Sequence, residues 1–191
     1  SYINDWFEEE DSLCLVITGP GGIGKTTIAK RIADQFAEMY GRRVLFIDAA
    51  SVIGNIKREV GDIDAKIDLY SVYVASCKYS EVDTPLSEPV FRTNLDSGNF
   101  MVILDGLDEI LSGLGSSFDL QFFFESMSTL NTHIHRGKII VTSRDLPSRP
   151  ISSIREIALL PFTRELAEEF FKSKFSDLPQ TVHKGLRMAD R

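Results

Sequence analysis

Gly19-Pro20-Gly21-Gly22-Ile23-Gly24-Lys25-Thr26 is the stretch that decides the fold. It has the form G-x-x-x-x-G-K-[S/T], and its surroundings say as much as its letters. The apolar run Leu13-Cys14-Leu15-Val16-Ile17 leads straight into it. Ile28, Ile32 and Phe36 follow on one helix face, and Gly41 sits where a helix C-terminal glycine belongs. Strand, glycine-rich loop and helix in that order make a phosphate cradle. Glycines let the backbone curl until successive N–H groups point into one concavity. The helix that opens near Lys25 brings the positive end of its dipole to the same point. Lys25 supplies a point charge for β- and γ-phosphates, and the Thr26 hydroxyl is a ligand for Mg2+. The nucleotide-contacting set is Gly19, Pro20, Gly21, Gly22, Ile23, Gly24, Lys25, Thr26 and Thr27.

Working outward, four further apolar runs occur at residues 44–47, 100–104, 139–142 and 154–160. All five read as strands buried on both faces, without the alternation of a half-solvated sheet. Helical patterns lie between them, at 118–130 and at Leu166, Ala167, Phe170 and Phe171, with Thr163 as a cap for the latter. Residues 51–99 read as two helices, near 53–66 and 67–78, followed by a loop through Pro85 and Pro89. Strands alternating with helices predict an α/β chain with a three-layer, doubly wound parallel sheet.

Two more signals fall at the ends of such strands. Met101-Val102-Ile103-Leu104-Asp105-Gly106-Leu107-Asp108-Glu109 is an apolar strand ending in an acid, the Walker B pattern. Asp105 is placed to hold Mg2+ as a hard oxygen ligand. Glu109 is the expected general base for an attacking water, with Asp108 close enough to compete for that role. A lone acid after a strand would read as a helix N-terminal carboxylate; the upstream loop makes it a site residue. In Lys138-Ile139-Ile140-Val141-Thr142-Ser143-Arg144, Thr142 or Ser143 is expected to bond the γ-phosphate or the attacking water. Arg144 is expected to report on the γ-phosphate by a charge-assisted contact.

Composition excludes several classes. Lys and Arg total 21 against 28 Asp and Glu, a formal charge of −7, which disfavours sequence-independent binding to nucleic acid or anionic membrane. Two cysteines, Cys14 and Cys77, support neither a disulfide framework nor a four-ligand zinc site, and a reducing cytoplasm is the expected setting. No apolar run is long enough for a membrane helix. His133 and His135 lack a third ligand, and the Phe122-Phe123-Phe124 triplet reads as core. No Asn-Lys-x-Asp element for reading guanine occurs, so ATP is the expected nucleotide. Arginines after Thr142 are too scattered for a kinase lid.

In this order and wording the three motifs resemble the NACHT domains of the STAND class of P-loop ATPases. The likeness rests on residues 19–26, on Leu104-Asp105-Gly106-Leu107-Asp108-Glu109 with a small residue after the metal-binding Asp, and on Val141-Thr142-Ser143-Arg144. Leu159-Leu160-Pro161-Phe162-Thr163 is similar to that family's turn into a helical lid. The resemblance implies strand order 5-1-4-3-2 in chain numbering, as in AAA+ ATPases. It also implies an ATP/ADP-dependent, Mg2+-requiring switch that self-associates, hydrolyses slowly and couples a sensor to an effector in signalling or immunity. The alternative is a nucleotide-dependent binding scaffold without turnover. Expected organisation is a flanking linker or helix at 1–11, a nucleotide-binding domain at 12–162 and the start of a lid at 163–191. Both ends read as cuts through a longer protein. The family's winged-helix histidine is not carried onto His183.

Overall fold

The computed structural model describes residues 2–10, 12–59, 66–130, 136–146, 154–161 and 163–174. Strands β1 (Cys14–Thr18), β2 (Arg43–Asp48), β3 (Phe100–Asp105), β4 (Ile139–Ser143) and β5 (Ile154–Ala158) form one sheet. Their order is β2-β3-β4-β1-β5 and every pairing is parallel, so the expected order is found. Helices follow each of the first three strands: α2 (Lys25–Tyr40) follows β1, and α3 (Ala49–Glu59), α4 (Leu69–Tyr79) and α5 (Glu88–Asp96) follow β2. After β3 come α6 (Leu107–Leu114) and α7 (Leu120–Ser128).

Side chains alternate across the sheet and sort the core into two layers. Cys14, Val16, Val102, Leu104, Ile139 and Val141 join the layer under α3 to α7. Leu15, Ile17, Met101, Ile103 and Ile140 join the layer with α2 and with α1 (Tyr2–Glu8). This is the three-layer α/β fold of P-loop NTPases.

Two expectations need correction. First, only the central strands are buried on both faces; β2 and β5 are half-exposed. They are the sheet edges, and Arg43, Asp48, Arg155 and Glu156 give those edges charge, a common guard against strand addition. Second, the loop expected through Pro89 is in fact α5, with the proline in its first turn, where a missing N–H costs nothing. Residues 2–10, expected as a flanking linker or helix, carry α1. Trp6 and Phe7 are buried against Phe36 of α2, and Lys138 donates from Nζ to the carbonyls of Trp6 (2.8 Å), Glu9 (2.5 Å) and Ser12 (3.0 Å).

Caps explain several boundaries. Asp48 accepts from Ala50 N (3.1 Å) and Ser51 Oγ (2.6 Å), which starts α3 ahead of its apolar pattern. Asp68 and Asp119 accept from Ser71 N (2.8 Å) and Phe122 N (2.9 Å) at the starts of α4 and α7. Phe123 and Phe124 are core, as the triplet suggested. Cys14 and Cys77 are both buried free thiols, and burial pushes the Cys14 thiol up. No described helix is long and apolar enough to cross a membrane.

The chain divides into two compact units, Ser1–Leu159 and Leu160–Arg191. In the second, α8 (Arg164–Lys174) begins behind Thr163, whose hydroxyl accepts from Leu166 N (3.3 Å). His133, His135 and His183, residues 60–65 of the expected 53–66 helix, and the lid sequence beyond 174 lie outside the described residues.

Candidate functional site

Parallel pairing in register brings the strand ends together. Asp48 pairs with Asp105, Asp105 with Thr142, and Thr142 with Ile17. The loop after β1, the turn after β3 and the turn after β4 therefore leave the sheet side by side, at the edge where such folds take ligand.

In the loop, Gly19 has φ +150°, and a Cβ there would come within 3.0 Å of Leu159 O. Gly24 is left-handed at φ +101° and opens α2, whose first bond runs from Ile28 N to Gly24 O (2.9 Å). The N–H groups of Lys25, Thr26 and Thr27 thus start a helix with no partners inside it. Pro20, Thr26 and Thr27 are exposed and Ile23 is half-buried. Lys25 folds back on the loop, with Nζ donating to Gly19 O (2.7 Å) and Pro20 O (3.0 Å). Both partners are neutral carbonyls, without the charge of a phosphate oxygen.

Asp105 lies at the centre. Its Oδ2 accepts from Thr26 Oγ1 (2.8 Å) and its Oδ1 from Thr142 Oγ1 (2.5 Å). Gly106, at φ +94°, turns back so that its N–H reaches Thr142 Oγ1 (2.9 Å). Arg144 is 65% exposed and packs its Nε 2.9 Å from Asp108 Oδ2, with an Nη 3.6 Å from Glu109 Oε1. Its backbone N–H also donates to Asp108 Oδ1 (3.2 Å), and its carbonyl accepts from Gly19 N (3.2 Å). Ser143 is buried, and its hydroxyl is spent on Asp145 O (2.7 Å).

The structure therefore gathers Thr26, Asp105 and Thr142 into one hydrogen-bonded cluster, with Asp108, Glu109 and Arg144 in a second beside it. The donor set suits Mg2+: a hydroxyl and a carboxylate, both hard oxygens, leaving the remaining positions to phosphate and water. Among the described residues no group of three or more His, Cys, Asp or Glu is placed to hold a metal unaided. Sequence reasoning missed the use of Gly106 N–H and the pairing of Arg144 with Asp108. Only the small residue after Asp105 hinted at the first, and nothing local signalled the second.

No protein-family model matches the chain, and no curated protein matches it. Solved structures do. The chain is similar to a DNA replication initiation factor (TM-score 0.58, 17% identity), over 97% of this chain and 54% of that one. It is similar to AMPPCP-bound DnaA from Aquifex aeolicus (TM-score 0.57, 17% identity), over 97% and 53%. It is also similar to Cdc6p from Pyrobaculum aerophilum (TM-score 0.52, 12% identity), over 92% and 46%. The chain spans about half the length of these structures, and at such identities the likeness is one of fold.

Proposed function

We propose that the chain is an ATP-binding, slowly hydrolysing switch domain of a larger signalling or defence protein of the STAND type. The observation that carries this reading is the Thr26–Asp105–Thr142 cluster at the foot of the 19–26 loop, with Arg144 and Glu109 beside it. That the DnaA of the same fold holds AMPPCP supports nucleotide as the ligand. Mg2+, held by Thr26 and Asp105, would neutralise phosphate charge. The chain's own groups do the rest. The loop N–H groups and the start of α2 receive the phosphates. Lys25 exchanges two carbonyl partners for phosphate oxygens, a stronger charge-assisted bond. Glu109 positions a water and accepts its proton.

Arg144 supplies the switch. Without a γ-phosphate it rests on Asp108 and Glu109; a γ-phosphate offers a competing anion that ADP lacks. A ligand shifts a conformational equilibrium only by its difference in affinity for the two states, and Arg144 is placed to provide that difference. In this reading the parent protein self-associates in its ATP form, in the cytoplasm, and carries sensor and effector regions outside this segment. The first test is Lys25→Ala. Nucleotide affinity, measured by titration calorimetry, is expected to fall at least tenfold, about 1.4 kcal/mol. Unchanged affinity in a folded variant sinks the reading.

A further inference from the structure

Thr142 or Ser143 was expected to bond the γ-phosphate or the attacking water, and the surroundings of Thr142 offer it other work. The residue is 1% exposed, and its hydroxyl has only one proton to give. That proton goes to Asp105 Oδ1 at 2.5 Å, while the oxygen accepts the N–H of Gly106 at 2.9 Å. Register makes this arrangement durable. Asp105 and Thr142 are direct partners across β3 and β4, and Gly106 N also bonds Thr142 O (3.2 Å). Asp105 therefore has one oxygen anchored to the sheet, and the other meets the Thr26 hydroxyl at 2.8 Å.

We propose that Thr142 is a positioning residue for the metal ligand Asp105, fixing its carboxylate so that Oδ2 and Thr26 Oγ1 together face the metal. The inference rests on the nucleotide-site reading above. A free carboxylate samples several rotamers, and every one but this points the oxygen pair differently. The bond from Thr142 removes that freedom before any metal arrives. Losing such an outer partner typically weakens metal affinity about 10–100-fold. Val in place of Thr keeps the shape but removes the partner of Asp105 Oδ1 and leaves Gly106 N only the backbone carbonyl of residue 142.

The test uses the whole chain and a fluorescent ADP analogue, which has no γ-phosphate for Thr142 to touch. Mg2+ is titrated at fixed ADP analogue, and the midpoint of the affinity gain is read. Thr142→Val is expected to raise that midpoint about tenfold or more, with Mg2+-free affinity unchanged. Thr142→Ser should restore the midpoint, which a mere change of packing volume would not achieve. Should Thr142→Val fail to fold, Thr142→Cys, with a weak S–H donor, is expected to shift the midpoint in the same direction by less. An unmoved midpoint in a folded Val or Cys variant, with ATP affinity lost selectively, overturns the proposal and makes Thr142 a phosphate contact. Binding indifferent to Mg2+ in the unaltered chain overturns it too, by removing Asp105 as a metal ligand. Failure of the underlying reading is distinct: it appears as nucleotide binding insensitive to Lys25→Ala.

Discussion

At its N-terminal end β4 begins just after Lys138, 3% exposed, with its ammonium donating to the carbonyls of Trp6, Glu9 and Ser12 and lying 5.0 Å from the Trp6 ring centroid. At its C-terminal end the same strand is followed by Arg144, with a side chain 65% exposed and resting on Asp108 and Glu109. One cation has its protons committed to three backbone carbonyls. The other has anionic partners in solvent, which in the proposed function a phosphate replaces. The lower end is a clamp and the upper end a set of exchangeable contacts. An exposed ion pair contributes little to stability, so it can be broken and remade during function. A buried cation with carbonyl partners cannot, because each orphaned group costs about 1–3 kcal/mol.

The contrast breaks first at Glu109. Glu109→Gln is expected to lower ATP turnover by about 10²–10⁴-fold while leaving nucleotide affinity and unfolding midpoint nearly unchanged. Steady-state phosphate release and calorimetry check it, and a loss carried by Asp108→Asn instead would move the base by one residue. At the other end, Lys138→Met should do the reverse. About 3 kcal/mol of stability is expected to go in urea unfolding, from carbonyls left unpaired, with nucleotide affinity of the folded fraction intact. A weakened ATP affinity there would mean the clamp is coupled to the site.

Arg144 sharpens the comparison. Arg144→Ala should cost under about 1 kcal/mol of stability but remove about tenfold of any preference for ATP over ADP. Asp108→Ala, which releases the same guanidinium, should raise that preference a few-fold. Equal loss of ATP and ADP affinity in Arg144→Ala would make the residue structural and favour the scaffold reading. The smallest effect is in pH. Burial pushes Lys138 down from its ordinary 10.5 to about 8, against the opposing pull of Glu9 and Glu8 and with help from Arg155. Between those values the unfolded chain holds more of this proton than the folded one, so stability should rise with pH from about 8 to 10.5 and be flat below. Lys138→Met should abolish that slope in urea midpoints; an identical slope would place its origin elsewhere.

Much of this was legible in the letters. The 19–26 loop, the strand ending at Asp105 and the one ending near Thr142 are local patterns, and each lands on the same edge of the sheet. The apolar runs named all five strands because a strand's backbone and burial are written in consecutive residues. The run at 44–47 did not reveal that β2 is an edge, since strand order is a property of the whole sheet. The 85–96 stretch misled because proline marks both a loop and a helix start, and only the packing of Phe91 and Leu95 into the core decides between them.

By itself, then, the sequence determined a parallel α/β sheet, the glycine-rich loop after its first strand, and which acids stand near it. Those features follow from spacing along one chain, which covalent geometry converts directly into place. Tertiary structure alone decided what each polar group holds: Thr142 its neighbour Asp105, Arg144 the acids of α6, Lys138 three carbonyls of the N-terminal segment. Hydrogen bonds reach only about 3 Å. Their partners come from distant positions brought into register by burial of the strands between, and no spacing within a single strand records that.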